Sequence, residues 1–410
     1  MIYFILGSHP ELSIAEIRAV LGQMYHPVFV SDSVVVIEPI DWNLGELLER
    51  LAGIVKVGRI AGELNSWNKT EAADLIASLA SGAAGKNKIS FGLSVYELGD
   101  KKTTRFLERD LDQLGLEIKK RLKETGRPIR YVKGKEPRLS SAIVETNGLL
   151  ESGGEFVLLA TTSKILIGQT DAVQNFKAWS DRDYGRPARD AKSGMLPPKL
   201  ARIMINLGGI DPRGSVLLDP FCGSGTVLME GALMGFEHLI GSDISTKAVA
   251  DTKTNMAWLL EQFNLTPPNL SLLVTPAADL PSALTSPSGP PPARGGARGG
   301  GSANVAVDLL VTEVFLGNPR VKALDQADAL RLESELIPLF RDSFTSLATL
   351  LKPTARAVVA FPAYKAKDGT WHRLPLKSLL ESLGYKILDT HLYYREDQLV
   401  ARDIYVLTLK

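Results

Sequence analysis

From residue 216 to residue 361 the chain repeats one pattern: a short apolar run of strand length, then a longer stretch of helix length. The short runs are Val216-Leu217-Leu218, Leu239-Ile240, Leu270 to Val274, Leu309-Leu310-Val311 and Ala357 to Phe361. Strands separated by helices pair in parallel, because each crossover helix carries the chain back to the edge where the previous strand began. The pattern therefore predicts an α/β domain built on a mostly parallel sheet. It breaks near the end. Tyr385 to Tyr393 and Ile404 to Leu409 are two strand-like runs with a short connection, so an antiparallel hairpin is expected to close the sheet.

The first run leads directly into Asp219-Pro220-Phe221-Cys222-Gly223-Ser224-Gly225-Thr226. Gly223 and Gly225 permit a tight turn and close backbone approach. Thr226 starts a helix through Val227, Leu228 and Leu233, with Gly235 just past its end. A strand, a glycine turn and a helix amino terminus make a nucleotide-cofactor cradle. The loop is not G-x-G-x-x-G, and an acid at Asp219 would repel a pyrophosphate. It suits instead the ammonium and sulfonium of S-adenosylmethionine. Asp243 follows the next strand, where a carboxylate can accept from both ribose hydroxyls. Asp279, after the third strand, is placed to accept from an adenine amino group, and equally reads as a solvated loop acid. Cys222 reads as a small packing residue. The expected cofactor residues are Asp219, Pro220, Phe221, Cys222, Gly223, Gly225, Thr226, Asp243 and Asp279.

The fourth strand runs into Thr312-Glu313-Val314-Phe315-Leu316-Gly317. In an open α/β sheet the chemistry lies beyond the carboxyl ends of the strands, so Thr312, Glu313 and Phe315 are the expected catalytic residues. The nitrogen of an exocyclic base amine is a poor nucleophile because its lone pair is delocalised into the ring. A carboxylate that accepts its hydrogens helps to aim it. Glu313 fits that role, and Phe315 offers a stacking surface for an extruded base. The plainer reading of Glu313 is a strand-end acid that caps the next helix.

The 410 residues suggest two or three domains. Residues 1 to about 55 read as strand, helix, strand, helix, and residues 56 to 175 as a second small α+β unit. Residues 176–197 are polar and turn-rich, which suggests a linker. Residues 281–304 are Pro-, Gly- and Ser-rich and read as a disordered insertion. The net charge of +1 implies that any nucleic-acid footprint must be local. Candidates are Lys119, Lys120, Arg121 and Lys123, then Arg127, Arg130, Lys133, Lys135 and Arg138; Arg182, Arg186 and Arg189 in the linker either touch RNA or tie the domains together. Such a cluster is also what a solvated helix face looks like. A single cysteine excludes an internal disulfide and fits a reducing cytosol. The apolar start, Met1 to Leu6, is short and soon broken by Gly7 and Pro10, so a first strand is expected rather than a signal peptide. No apolar run is long enough to span a membrane. The five histidines are scattered, and no metal site is expected.

These residues resemble the THUMP-domain tRNA guanosine N2-methyltransferases of the tRNA guanosine-10 type, over nearly the whole chain. The opening Leu6-Gly7-Ser8-His9-Pro10-Glu11-Leu12-Ser13-Ile14-Ala15-Glu16 is similar to that family's, and so is Gly168 to Gln174. The most specific stretch is Asp183-Tyr184-Gly185-Arg186-Pro187 followed by Gly194-Met195-Leu196-Pro197-Pro198-Lys199-Leu200-Ala201. Asp219 to Thr226 matches the first methyltransferase motif. The resemblance implies a Rossmann-like methyltransferase domain over 198–410, preceded by a ferredoxin-like unit over 1–55 and a THUMP domain over 56–175. It also implies S-adenosylmethionine as cofactor and tRNA as partner, held by residues that include Arg130, Lys133, Arg138 and Arg186. A cytoplasmic monomer or weak homodimer is expected, with an accessory protein as a further partner. One motif departs. The family's acceptor sequence is Asp-Pro-Pro-Tyr between Thr and Gly. Here Thr312 and Gly317 remain, but Glu313-Val314-Phe315-Leu316 stand between them. The acceptor is therefore open: a guanosine amine in tRNA, a different base, or no transfer at all in a chain that only binds RNA and cofactor.

Overall fold

The computed structural model describes residues 1–83, 88–189, 195–286, 305–318 and 320–410. These form two compact units, Met1–Ala178 and Trp179–Lys410.

In the first unit eight strands make one sheet: β1 Ile2–Leu6, β2 Pro27–Val30, β3 Val34–Ile37, β4 Ile54–Leu64, β5 Ile89–Glu97, β6 Ile129–Val132, β7 Gly153–Ala160 and β8 Ile165–Val173. Their order is β2-β3-β1-β4-β8-β7-β5-β6. β1 pairs with β4, so the sheet is continuous across the boundary expected near residue 55. Helices Pro10–Leu21 and Leu44–Arg50 cover Phe4, Val35 and Val57. Helices Lys69–Ala83 and Lys101–Leu122 cover Phe91, Phe156 and Leu158. A polar knot lies inside. Glu155 on β7 pairs with Lys56 on β4 and accepts from Ser94 Oγ at 2.6 Å and Thr170 Oγ1 at 2.9 Å, while Lys56 also donates to the Leu139 carbonyl. Buried charges persist only when each is paired and hydrogen-bonded in this way. β6, which carries Arg130, is an edge strand.

The second unit holds β9 Val216–Asp219, β10 His238–Asp243, β11 Asn269–Val274, β12 Val307–Glu313, β13 Leu351–Lys365, β14 Trp371–Arg373, β15 Tyr385–Tyr393 and β16 Val400–Leu409. The order is β11-β10-β9-β12-β13-β16-β15, with β14 paired to β13. β9 to β13 run parallel, as the alternation predicts, and β16 is antiparallel to both β13 and β15. The chain winds outward from β9 to β11, then returns to the other side of β9 and continues through β12 and β13. That reversal opens a crevice between the carboxyl ends of β9 and β12, where open α/β sheets bind their ligands. Helix Gln326–Ala348 packs Phe340 and Phe344 against Phe361, with ring centroids 5.2 and 5.4 Å apart. Helix Pro198–Gly208 is almost wholly buried.

Two stretches differ from their sequence reading. Residues expected as a linker form helix Phe176–Ser180 and a π-turn Asp181–Gly185, with Trp179, Arg182 and Arg186 buried. The start of the expected insertion is helix Leu280–Thr285, anchored by buried Leu280 and Leu284. The remainder of that insertion, 287–304, and Gly194 lie outside the described residues.

Candidate active site at the strand-order reversal

The loop after β9 folds over its own backbone. Gly225 N–H donates to the Cys222 carbonyl at 2.7 Å, and Cys222 N–H donates to the Ser242 carbonyl of β10 at 2.9 Å. Gly223 and Gly225 have φ of 52° and 86°, left-handed values that favour glycine. At Gly225 a Cβ would stand 2.8 Å from Thr252 Cγ2, whereas at Gly223 it would meet nothing within 4 Å. The loop is thus tight on its protein side and open on the other. Asp243 closes it: one carboxylate oxygen accepts from Gly223 N–H at 3.0 Å and the other from Ser245 N–H at 2.9 Å. The Pro220 carbonyl accepts from Ser242 Oγ at 3.2 Å. Phe221 is half-buried against the core. Cys222 is buried, and burial with the nearby Asp219 charge pushes its thiol well up, so it stays protonated as a packing residue.

Asp219 is 3 % exposed. One of its oxygens accepts from Thr312 Oγ1 at 2.7 Å and from Phe221 N–H at 3.2 Å. Burial pushes its carboxyl up to about 7, opposed by those two hydrogen bonds and assisted by the charges of Asp243 and Glu313. Thr312, expected to be catalytic, is fully buried and points at Asp219. It ties β12 to β9 and acts on the site through Asp219. Asp279 is exposed, in the 3-10 turn Ala277–Asp279 beyond the carboxyl end of β11, and makes no side-chain hydrogen bond among the described residues. No partner among the described residues pins it, as the solvated-acid reading also expects.

On the acceptor side Glu313 ends β12. It caps no helix. Its Oε1 accepts from Arg402 Nε of β16 at 2.6 Å, across the intervening β13. Burial raises its carboxyl and Arg402 opposes that. Phe315 is 51 % exposed, an unusual state for a phenyl ring. Gly317 turns the chain at φ 80°, under the Tyr364 hydroxyl that donates to the Leu316 carbonyl at 2.9 Å.

A supporting layer escapes the motif reading. Asn255, fully buried, receives the Ala188 N–H at 2.9 Å and donates from Nδ2 to the Ala188 and Ser224 carbonyls, each at 2.9 Å. Thr252 Oγ1 donates to the Gly223 carbonyl at 2.8 Å. Arg186, expected to bind RNA, is 2 % exposed and donates to Thr226 Oγ1 at 2.6 Å. Its guanidinium fastens the segment before the sheet to the helix after the loop, which fits the tying role and leaves it buried away from solvent. Arg182 and Arg202 share Glu230 on the same helix, and Arg182 stacks 4.0 Å over Trp179. Ile244, directly after Asp243, is 74 % exposed. It is an exposed apolar side chain at a strand end, beside the pinned acid. The sequence carried no signal for Arg402, which with Asp403 precedes the apolar run Ile404 to Leu409. Nor did it carry one for Asn255.

In the first unit Arg130 is exposed on β6. Lys133 lies 5.3 Å over the Tyr131 ring and pairs with Asp112 at 2.8 Å, and Arg138 lies 5.2 Å over the Tyr96 ring. Arg121 is occupied by Asp74 and Glu117.

Residues 186–259 match the family model of the RMKL-like methyltransferase domain. A 63-residue stretch is 46 % identical to the tRNA (guanine(10)-N2)-dimethyltransferase of Methanothermobacter thermautotrophicus, covering 15 % of this chain and 18 % of that protein. A 106-residue stretch is 36 % identical to the protein of the same name from Methanocaldococcus jannaschii, covering 25 % and 28 %. The chain thus aligns with less than a third of the length of either relative. The crystal structure of TrmN from Thermus thermophilus matches over 100 % of both chains with a TM-score of 0.53 at 16 % identity, which shows a shared fold. Among the described residues no helix is long and apolar enough to cross a membrane. The segment matched by the family model contains the whole loop Asp219 to Thr226 and Asp243, and over it the chain is similar to RMKL-like methyltransferase domains.

Proposed function

We propose that the chain is an S-adenosylmethionine-dependent RNA methyltransferase that modifies the exocyclic amino group of a guanosine in tRNA. One observation carries this reading: Asp219, Asp243 and Glu313 stand at the carboxyl ends of β9, β10 and β12, around the strand-order reversal. An anionic crevice with a glycine loop open on one side suits a cationic nucleoside donor and disfavours a pyrophosphate. Asp219, Gly223 and Gly225 would hold the amino-acid half, Asp243 the ribose, and Asp279 with Ile244 the base. When bound, the cofactor supplies an electrophilic methyl group, the N–C bond forming as the C–S bond breaks with its electron pair left on sulfur. Glu313 accepts an N–H of the acceptor amine and fixes the direction of its lone pair. Phe315 offers the extruded base a face to stack on.

The first unit would deliver the RNA. Residues 1–55 are assigned as a ferredoxin-like unit and 56–175 as a THUMP domain, with Arg130, Lys133 and Arg138 contacting phosphate. The protein would act in the cytoplasm, as a monomer or weak homodimer. The test is methyl transfer from labelled S-adenosylmethionine to total tRNA, followed by mass analysis of the nucleosides. N2-methylguanosine is expected, and Asp219→Ala and Glu313→Ala should each abolish it. Cofactor binding without transfer to any nucleic acid would sink the proposal, and label in a different base would reassign the acceptor.

A further inference from the structure

Glu313 is one half of a pair. Its partner Arg402 comes from β16, opposite Pro362 of β13, while Glu313 itself lies opposite Ala360 of β13. Between the two side chains β13 contributes only these uncharged residues. The pair is enclosed, with side chains 14 % and 7 % exposed. Only Glu313 Oε1 is engaged; Oε2 makes no hydrogen bond among the described residues. Asp219 on β9 is a carboxylate near Glu313, with Asp243 on β10 beyond it; Asp403, next to Arg402 on β16, is paired with Arg373 of β14. From β15, Tyr393 stands opposite Arg402 and brings no charge at neutral pH. A lone carboxylate set among apolar strands and two other acids would take up a proton. An ion pair of this kind adds little net stability over an apolar pair of similar size. Its consequence for the carboxylate is geometric and electrostatic: one oxygen is fixed in place, and the guanidinium opposes the rise that burial imposes.

We propose that Arg402 is a positioning residue for the acceptor side of the site, holding Glu313 through Oε1 so that Oε2 is presented, as a carboxylate, to the acceptor amine. This rests on reading the site as an amine methyltransferase. The proton balance follows from the same geometry. As the nitrogen takes the methyl group, its surplus proton passes to Oε2, which must therefore begin unprotonated. The arrangement also accounts for the departure from Asp-Pro-Pro-Tyr. The longer glutamate swings more freely than an aspartate in a proline-stiffened turn, and a guanidinium reaching across β13 restricts it instead.

The experiment compares wild type, Arg402→Met and Arg402→Lys by two readouts. The first is an NMR titration of carboxyl-13C glutamate in the cofactor-free protein, with the Glu313 signal assigned by its loss in Glu313→Gln. Arg402→Met should move the Glu313 midpoint upward, and Arg402→Lys should restore part of the difference. The second is methyl transfer to tRNA. For Arg402→Met, kcat at neutral pH should fall roughly ten- to a hundredfold, with the acid limb of the profile displaced upward and KM for S-adenosylmethionine within a factor of about three. An unmoved Glu313 midpoint in both variants overturns the proposal. So does a loss of cofactor binding that matches the loss of rate, which would mark Arg402 as merely structural. Should Arg402→Met not fold, Arg402→Lys alone decides, because a point charge without the planar fork should leave the rate low and rising with pH. If wild type transfers no methyl group at all, the functional reading fails, while the titration still decides whether Arg402 sets the state of Glu313.

Discussion

The two halves of the crevice are built by different means. The donor half is local and largely backbone: a loop of eight residues, two left-handed glycines, and Asp243 holding the turn through the Gly223 amide. The acceptor half is side chain on side chain. Glu313 depends on Arg402, 89 residues away in sequence, across an intervening strand. A backbone cradle is rigid and tolerates change only where φ and space allow. A side-chain pair can be altered without disturbing the strands that carry it. Donor-loop variants should therefore fail in binding, and acceptor variants should fail in rate.

The largest expected effect tests that division directly. Glu313→Gln keeps the shape and one hydrogen-bond acceptor but removes the charge and the base. Transfer should fall by roughly 10²- to 10⁴-fold, while cofactor affinity by calorimetry stays within about threefold. An equal loss in both would break the comparison, since it would mean that the two halves form one structural unit.

Next is Gly225→Ala. The backbone φ of 86° disfavours any side chain, and the new Cβ would stand 2.8 Å from Thr252 Cγ2. Strain of this kind costs about 1–3 kcal/mol, so cofactor affinity should fall roughly five- to 150-fold if the loop relaxes to relieve it. Adding Thr252→Ser removes the methyl group and should recover part of the loss. Transfer at saturating cofactor should change far less than binding.

A pH series gives a third, smaller effect. Asp219 is pushed up to about 7 by burial, while in the unfolded chain an aspartate titrates near 4. Between those values the unfolded chain releases a proton that the folded one keeps. The stability from this group is therefore complete below about pH 4 and is lost as pH rises through about 7. Asp219→Asn should flatten that part of the thermal-stability profile. A cationic cofactor favours the carboxylate, so its affinity should rise about tenfold from pH 6 to pH 8 and then level off. The sequence could place this residue but not its charge state, which comes from enclosure by β9 and β12.

That contrast marks what was legible. Parallel strands, the antiparallel closing hairpin and the donor loop can be read directly, because period, glycine and strand ends are local properties. Glu313 and Phe315 could be placed at the reactive edge by the strand rule alone. Thr312 could be placed too, but not its direction: strand alternation turns it into the sheet toward Asp219. Arg402, Asn255 and Thr252 act by contacts between distant elements that no spacing announces. The polar stretch before the domain misled because turn residues and charges look the same whether solvated or folded. Trp179 and Leu196 were the residues there that argued for burial.

Arg130 and Arg186 bring the same contrast down to single cations. Both were expected at an RNA surface. Arg130 is exposed on the edge strand β6, where a phosphate can reach it. Arg186 is buried against Thr226. Arg130→Ala should weaken tRNA binding only about two- to fivefold, lower the salt dependence by roughly one phosphate contact, and leave cofactor affinity unchanged. Arg186→Ala should do the reverse. It leaves Thr226 and the helix after the donor loop without their tether, so thermal stability and cofactor affinity should fall while the salt slope for tRNA holds. Filter binding across a salt series, beside calorimetry with S-adenosylmethionine, separates the two. If Arg186→Ala lowered the salt slope as much as Arg130→Ala, its guanidinium would have to leave the donor loop when RNA binds, and the donor half would be less rigid than its backbone geometry implies.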